Sequence, residues 1–186
     1  MPSAFFSEYL SKLTAIVPLL DIGRIERLAS LVGEARRGDR QVFICGNGGS
    51  AANALHMAND LLYGAAGASG KGLRVNALPA NQSVVTCLAN DLSYAQIYSA
   101  QIECLGQPGD VLIALSGSGN SENIVQAIRA ARDKEMTSCA ILGFSGGKCL
   151  GLADLVIHAP IHDMQISEDV QLIVGHMIMR WLRDNP

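Results

Sequence analysis

Gln41-Val42-Phe43-Ile44-Cys45-Gly46-Asn47-Gly48-Gly49-Ser50, running on through Ala51 to Leu62, is the stretch whose reading decides the fold. Five strand-forming residues enter a glycine turn, and apolar residues at helical spacing follow it, which is the opening of a βαβ unit. The same order returns at Val111-Leu112-Ile113-Ala114-Leu115, then Ser116-Gly117-Ser118-Gly119-Asn120-Ser121, then a helix expected over 122–134. Further strands are expected at 73–78, 138–142 and 155–158, with helices at 83–88, 95–105 and 168–183. Strands alternating with helices make a parallel sheet covered on both faces. The fold class is therefore α/β: five parallel strands, doubly wound in flavodoxin-like order.

Upstream of this unit, Phe6, Leu10, Leu13, Val17 and Leu20, and then Ile25, Leu28 and Val32, recur at helical spacing. They predict an N-terminal helical hairpin, with Asp21 capping its second helix and Gly38 stopping it. The segment 64–72 is rich in glycine and alanine and reads as a flexible loop. No linker divides the chain, so residues 1–186 are expected to form one domain that includes the hairpin.

Composition excludes several functions. The chain has 186 residues, a formal charge of -3 and no basic run, which leaves nothing to track a nucleic-acid backbone or an anionic membrane. Its longest apolar stretch, Leu172 to Met179, contains His176 and is far shorter than the ~20 residues a spanning helix needs. Five scattered cysteines without a CxxC pair read as reduced, mostly buried thiols. The expectation is a soluble cytoplasmic protein.

Both glycine-rich loops end a strand and open a helix, where backbone N–H groups converge on an anion. If the first and third strands are neighbours, the two loops meet over one crevice. Ser50, Ser116, Ser118 and Ser121 then surround one phosphate, helped by the backbone of Gly48, Gly49 and Gly117. Neither loop carries the lysine of a nucleotide triphosphatase. The motif Gly46-Asn47-Gly48-Gly49-Ser50-Ala51 also matches a dinucleotide loop, but no Asp or Glu lies between Leu61 and Asn90 to hold a ribose. No nucleotide cofactor is expected; a phosphorylated small molecule is.

Four polar residues lie near this crevice. His56 and Asp60, at i and i+4, share one face of the helix after the first loop. Glu168 and His176 lie on the last helix, about 12 Å apart along its axis. If both serve one site, either the first helical turn is absent or a neighbouring subunit supplies one of them. The second alternative is preferred, because the terminal helices carry more apolar surface than one small sheet can cover. It predicts a homo-oligomer, a tetramer, with shared active sites.

Four ordered segments resemble the sugar isomerase (SIS) domain family in its phosphoheptose isomerase branch: GNGGSAANALHMAND, CLANDLSYAQIYSAQIECLG, GDVLIALSGSGNSENIVQAI and SEDVQLIVGH. The resemblance implies a tetramer that interconverts sedoheptulose 7-phosphate and the corresponding heptose 7-phosphate. It places phosphate on Ser50, Ser116, Ser118 and Ser121, the sugar near Asn47 and Asp91, and the reaction centre at His56 and His176. Asp60 stands where the family has a glutamate base, and Glu168 where it has a glutamine. Gly64 and Gln165 replace an arginine and an aspartate, so contacts to the sugar chain differ, and another long-chain ketose phosphate is an alternative substrate. Two histidines and two carboxylates suit Zn²⁺, so His56, Asp60, Glu168 and His176 are expected around one ion or one reacting diol. Asp60 or Glu168 is then the base and His176 the proton donor. A contrasting expectation comes from SIS relatives that regulate replication initiation without catalysis. They share Ser50-Ala51-Ala52-Asn53-Ala54 but lack the full set of acids and histidines.

Overall fold

The computed structural model describes residues 2–185. Helix α1 (Pro2–Ile16), a 3-10 turn at Val17–Leu19 and helix α2 (Ile22–Arg37) open the chain, but α1 packs little on α2 and leaves Phe5, Phe6 and Leu10 exposed, so the two helices do not close into the expected hairpin. Asp21 caps α2 by accepting the Arg24 N–H, and Gly38 ends it. There follow β1 (Gln41–Cys45), α3 (Gly49–Leu62), β2 (Arg74–Ala77), α4 (Gln82–Asp91), α5 (Ser99–Leu105), β3 (Val111–Ser116), α6 (Glu122–Asp133), β4 (Thr137–Leu142), β5 (Leu155–His158) and α7 (Met164–Asp184). All strand pairs are parallel and the sheet order is β2-β1-β3-β4-β5. The chain thus switches direction between β1 and β3, and the two glycine-rich loops leave the sheet side by side there.

Alternation along the strands divides the core into two layers. Val42, Ile44, Val111, Ile113, Cys139 and Ile141 pack with α2, α3 and α7 through Leu28, Val32, Ala54, Met57, Val174 and Ile178. Phe43, Cys45, Leu112, Ala114, Ala140 and Leu142 pack with α5 and α6 through Ile102, Ile124, Val125 and Ile128. Among the described residues, no helix is long and apolar enough to cross a membrane.

Three further local expectations are corrected. Residues 95–105 are not one helix: a 3-10 turn at Tyr94–Gln96 precedes α5. The glycine-alanine segment is no loose loop, for Gly64–Ser69 is a 3-10 element with Ala65 fully buried. The Arg36 guanidinium holds it by donating to the carbonyls of Ala65, Leu182 and Asn185 at 3.0, 3.1 and 2.6 Å. Gly67, at φ +50°, lies against the Arg183 backbone where a side chain would collide. Finally, α7 begins one turn earlier than expected, because Asp163 caps it by accepting the Ile166 N–H.

Candidate active site

Helix capping separates α2, α4 and α7 from the two helices that open on the crevice. Asp21, Asn81 and Asp163 cap α2, α4 and α7 with their side chains. The N-cap residues of α3 and α6, Gly48 and Ser121, make no side-chain cap bond. The Ala51 and Ile124 N–H groups donate back to the Gly48 and Ser121 carbonyls, while those of the first two residues of each helix face outward for an acceptor, and the helix dipoles favour an anion there. Between them lies a small cavity of about 80 Å³ lined by Asn47, Ser50, Ser116, Gly117, Ser118, Ser121, Leu115, Met164 and Glu168. All four serines expected to share a phosphate therefore meet in one place.

The hydroxyls are set up as donors. Ser116 Oγ accepts the Gly119 N–H at 3.0 Å, and Ser118 Oγ accepts the Asn120 N–H at 3.2 Å. Each hydroxyl proton remains for a ligand, since a serine oxygen accepts through lone pairs and donates once. A third glycine turn supports this loop from behind: Cys149 N–H donates to the Gly119 carbonyl, and Lys148 N–H to Asn120 Oδ1.

Two turns along α3 lies a second constellation. His56 Nε2 and His176 Nε2 are 2.9 Å apart, and Asp60 Oδ2 is 3.4 Å from the first and 3.6 Å from the second. Three donors in a triangle of this size could hold one metal ion. Helices α3 and α7 come close enough for it because residue 175 is glycine: a side chain there would strike Met57. The two imidazoles are about half exposed, while the Asp60 side chain keeps only 17 % of its surface.

Within one chain Glu168 does not join this cluster, so four groups around one ion or one reacting diol would require Glu168 from a neighbouring subunit. Unbroken helix separates it from His176, and a rise of ~1.5 Å per residue sets them about 12 Å apart. Its carboxylate lies instead on Gly49, where a side chain would collide with it, and it lines the serine cavity. Asn53 fixes that register by donating from Nδ2 to the Glu168 carbonyl at 2.9 Å and to Gln171 Oε1 at 3.0 Å. Asp91, unlike Glu168, lies outside the cavity lining: its carboxylate, at the end of α4, accepts from Asn90 and Cys87. Those two donors hold its pKa below the usual carboxylate range, the Asn90 bond counting most.

Sequence reasoning missed the polar framework behind Asn47. Asn47 and Asn123 exchange reciprocal amide hydrogen bonds at 2.8 Å each, and Tyr94 Oη donates to Asn47 Oδ1 at 3.1 Å. Tyr98 donates its hydroxyl proton to the Gly46 carbonyl, and burial pushes its pKa up. The only sequence signal for Asn123 is its place two residues after Ser121, at the first turn of α6.

Comparison with known proteins puts this geometry in a class. Residues 4–143 match the SIS domain family, and the chain belongs to it. Within that family it belongs with the phosphoheptose isomerases. It is 40 % identical to the phosphoheptose isomerase of Shewanella denitrificans, over 83 % of this chain and 80 % of that one. It is 36 % identical to that of Sulfurimonas denitrificans, over 84 % and 80 %. The phosphoheptose isomerase structure from Neisseria gonorrhoeae superimposes with a TM-score of 0.88 at 28 % identity, covering 98 % of this chain and 96 % of that one.

Proposed function

We infer that this chain isomerises sedoheptulose 7-phosphate, gripping the phosphate in the serine cavity and working on the other end of the sugar at His56, Asp60 and His176. The observation that carries this reading is that α3 contributes to both constellations. Ser50 and His56 are six residues apart on α3, a rise of about 9 Å, which is roughly the reach of a seven-carbon chain from its phosphate to its carbonyl end. The phosphate is a handle, and the helix sets its distance from the chemistry.

Aldose–ketose isomerisation moves a proton between adjacent carbons through an enediol and needs a carboxylate base beside a proton donor. Asp60 is the base: it is the least exposed member of the cluster, and its Oδ2 faces both imidazoles. His176 gives and takes the proton on the neighbouring oxygen, with His56 holding its ring in place. Glu168, beside the phosphate site, contacts the sugar chain rather than the migrating proton.

The same three donors fit a zinc ion. Tetrahedral zinc with ligands at ~2.0–2.1 Å spaces them roughly 3.3 Å apart, close to the triangle His56, Asp60 and His176 form. With such an ion bound, polarisation of the oxygen pair of the reacting diol would replace the His176 proton, and the Asp60 oxygen left off the metal would be the base.

Exposure of the cluster supports a shared site. Leu55, Leu62, Tyr63, Met177 and Trp181 flank it in the sequences of α3 and α7 and are all exposed. Covering them with a second copy would also keep bulk water off the enediol. A single-domain, cytoplasmic homotetramer with shared sites is the form this reading gives. The test is a coupled assay with sedoheptulose 7-phosphate together with elemental analysis of the purified protein. Turnover with about one zinc per chain is expected, and turnover should vanish in His176→Ala. Normal activity in that variant would sink the assignment.

A further inference from the structure

Asn47 is the one amide side chain in the lining of the serine cavity, and its hydrogen-bonding capacity can be counted in full. An asparagine amide offers two N–H donors and an oxygen with two lone pairs. Asn47 Oδ1 receives the Asn123 Nδ2–H at 2.8 Å and the Tyr94 hydroxyl at 3.1 Å. The Tyr98 hydroxyl lies 3.4 Å from the same oxygen, but its single proton goes to the Gly46 carbonyl. The acceptor side of Asn47 is therefore full. On the donor side, one Nδ2 proton goes to Asn123 Oδ1 at 2.8 Å, and no further acceptor for Nδ2 is found among the described residues.

Asn123 is 1 % exposed. It stands in the first turn of α6, so its bond to Asn47 also ties the loop after β1 to the loop after β3, the two halves of the phosphate cradle. A reciprocal amide pair is a stronger constraint than a single bond because either partner must break two bonds to turn.

We propose that Asn123 is a positioning residue of the isomerase site: with Tyr94 it fills the Asn47 oxygen and turns Asn47 into a donor-only contact for the substrate. This rests on reading the serine cavity as the sugar-phosphate site. The remaining Asn47 N–H selects an oxygen with free lone pairs, such as a phosphate or ring oxygen. Tyr94, exposed and with its proton committed to Asn47, is left with acceptor capacity only. An aspartate at position 123 could accept from Asn47 but not donate to it. It would turn the Asn47 oxygen toward the bound anion.

The test is a pair of double-mutant cycles on the full-length protein, read as kcat and KM with sedoheptulose 7-phosphate. Asn123→Ala is expected to lower kcat/KM about tenfold and Tyr94→Phe about threefold, both chiefly through KM. In an Asn47→Ala background neither should lower it further, because both act through Asn47. Asn123→Asp should be worse than Asn123→Ala, although it is closer in shape. Losses that simply add in the Asn47→Ala background, or Asn123→Asp outperforming Asn123→Ala, overturn the inference alone. Wild-type kcat/KM in Asn47→Ala overturns it together with the reading of the cavity. If Asn123→Ala does not fold, the cycle with Tyr94→Phe, a substitution on the surface, carries the same decision.

Discussion

Asp60 is a residue-scale departure, one methylene shorter than the glutamate implied by the family resemblance. The loss draws the carboxylate back by about 1.5 Å, and proton transfer is sensitive to displacements of that size. In the proposed mechanism the close approach of α7 offsets this: with glycine at 175 opposite Met57, His176 comes within 3.6 Å of the Asp60 carboxylate. Asp60→Asn is expected to lower kcat by about 10²- to 10⁴-fold with little change in KM, the signature of a lost base. Asp60→Glu should keep measurable turnover. Equal and mild effects of the two substitutions on steady-state kinetics would remove Asp60 from the chemistry. The pairing of His56 with Asp60 was legible in the sequence, because i, i+4 residues on a helix share a face. No spacing along the chain could reveal that His176 completes the pair, although the helical rise already separates it from Glu168.

Among the elements, α7 is held from three sides. Asn53 fixes it to α3, Arg36 binds the carbonyls of its last turn, and Tyr9 on α1 donates to Asp169 Oδ2 at 2.6 Å. That last bond raises the Tyr9 pKa to about 12, chiefly because the phenol must keep its proton to donate to the carboxylate. A raised pKa stabilises the fold while the group is protonated. The contribution is full below pH ~10, where a free tyrosine titrates, and is lost as pH rises through about 12. Tyr9→Phe is expected to cost about 1 kcal/mol in urea unfolding at pH 7 and progressively less toward pH 12. A deficit that does not shrink with pH would show the hydrogen bond to be irrelevant. The strands and most helices could be read from periodicity and glycine punctuation. The 3-10 element at Gly64–Ser69 could not, because its order comes from Arg36, whose partners are up to 149 residues away in sequence.

For the whole molecule, the arrangement of thiols gives a direct check on the two-layer core. Cys45, Cys139 and Cys149 are buried, and burial pushes all three thiols up, Cys149 to about 11. None should react with iodoacetamide at pH 8 until the chain unfolds, and rapid native labelling of any of them, read by mass spectrometry, would contradict the packing. Assembly is tested separately: native mass spectrometry is expected to give four chains. Mixing inactive Asp60→Asn chains with inactive chains altered at a residue reached from the neighbour should restore activity only if sites are shared.

The sequence by itself determined the α/β class, the sheet order and the meeting of four serines at one cradle, because each follows from local periodicity and from the rule that ligands sit where a parallel sheet changes direction. Only the tertiary structure decided which polar residues come together: Glu168 against Gly49 at the serine cavity, and His176 with His56 and Asp60. Glu168 and His176 ride one helix, whose rise, readable from their spacing alone, keeps them apart within the chain. Asn123 and Tyr94 reach Asn47 from other elements, so which bonds fill its amide is fixed by packing across the crevice and not by any spacing along the chain.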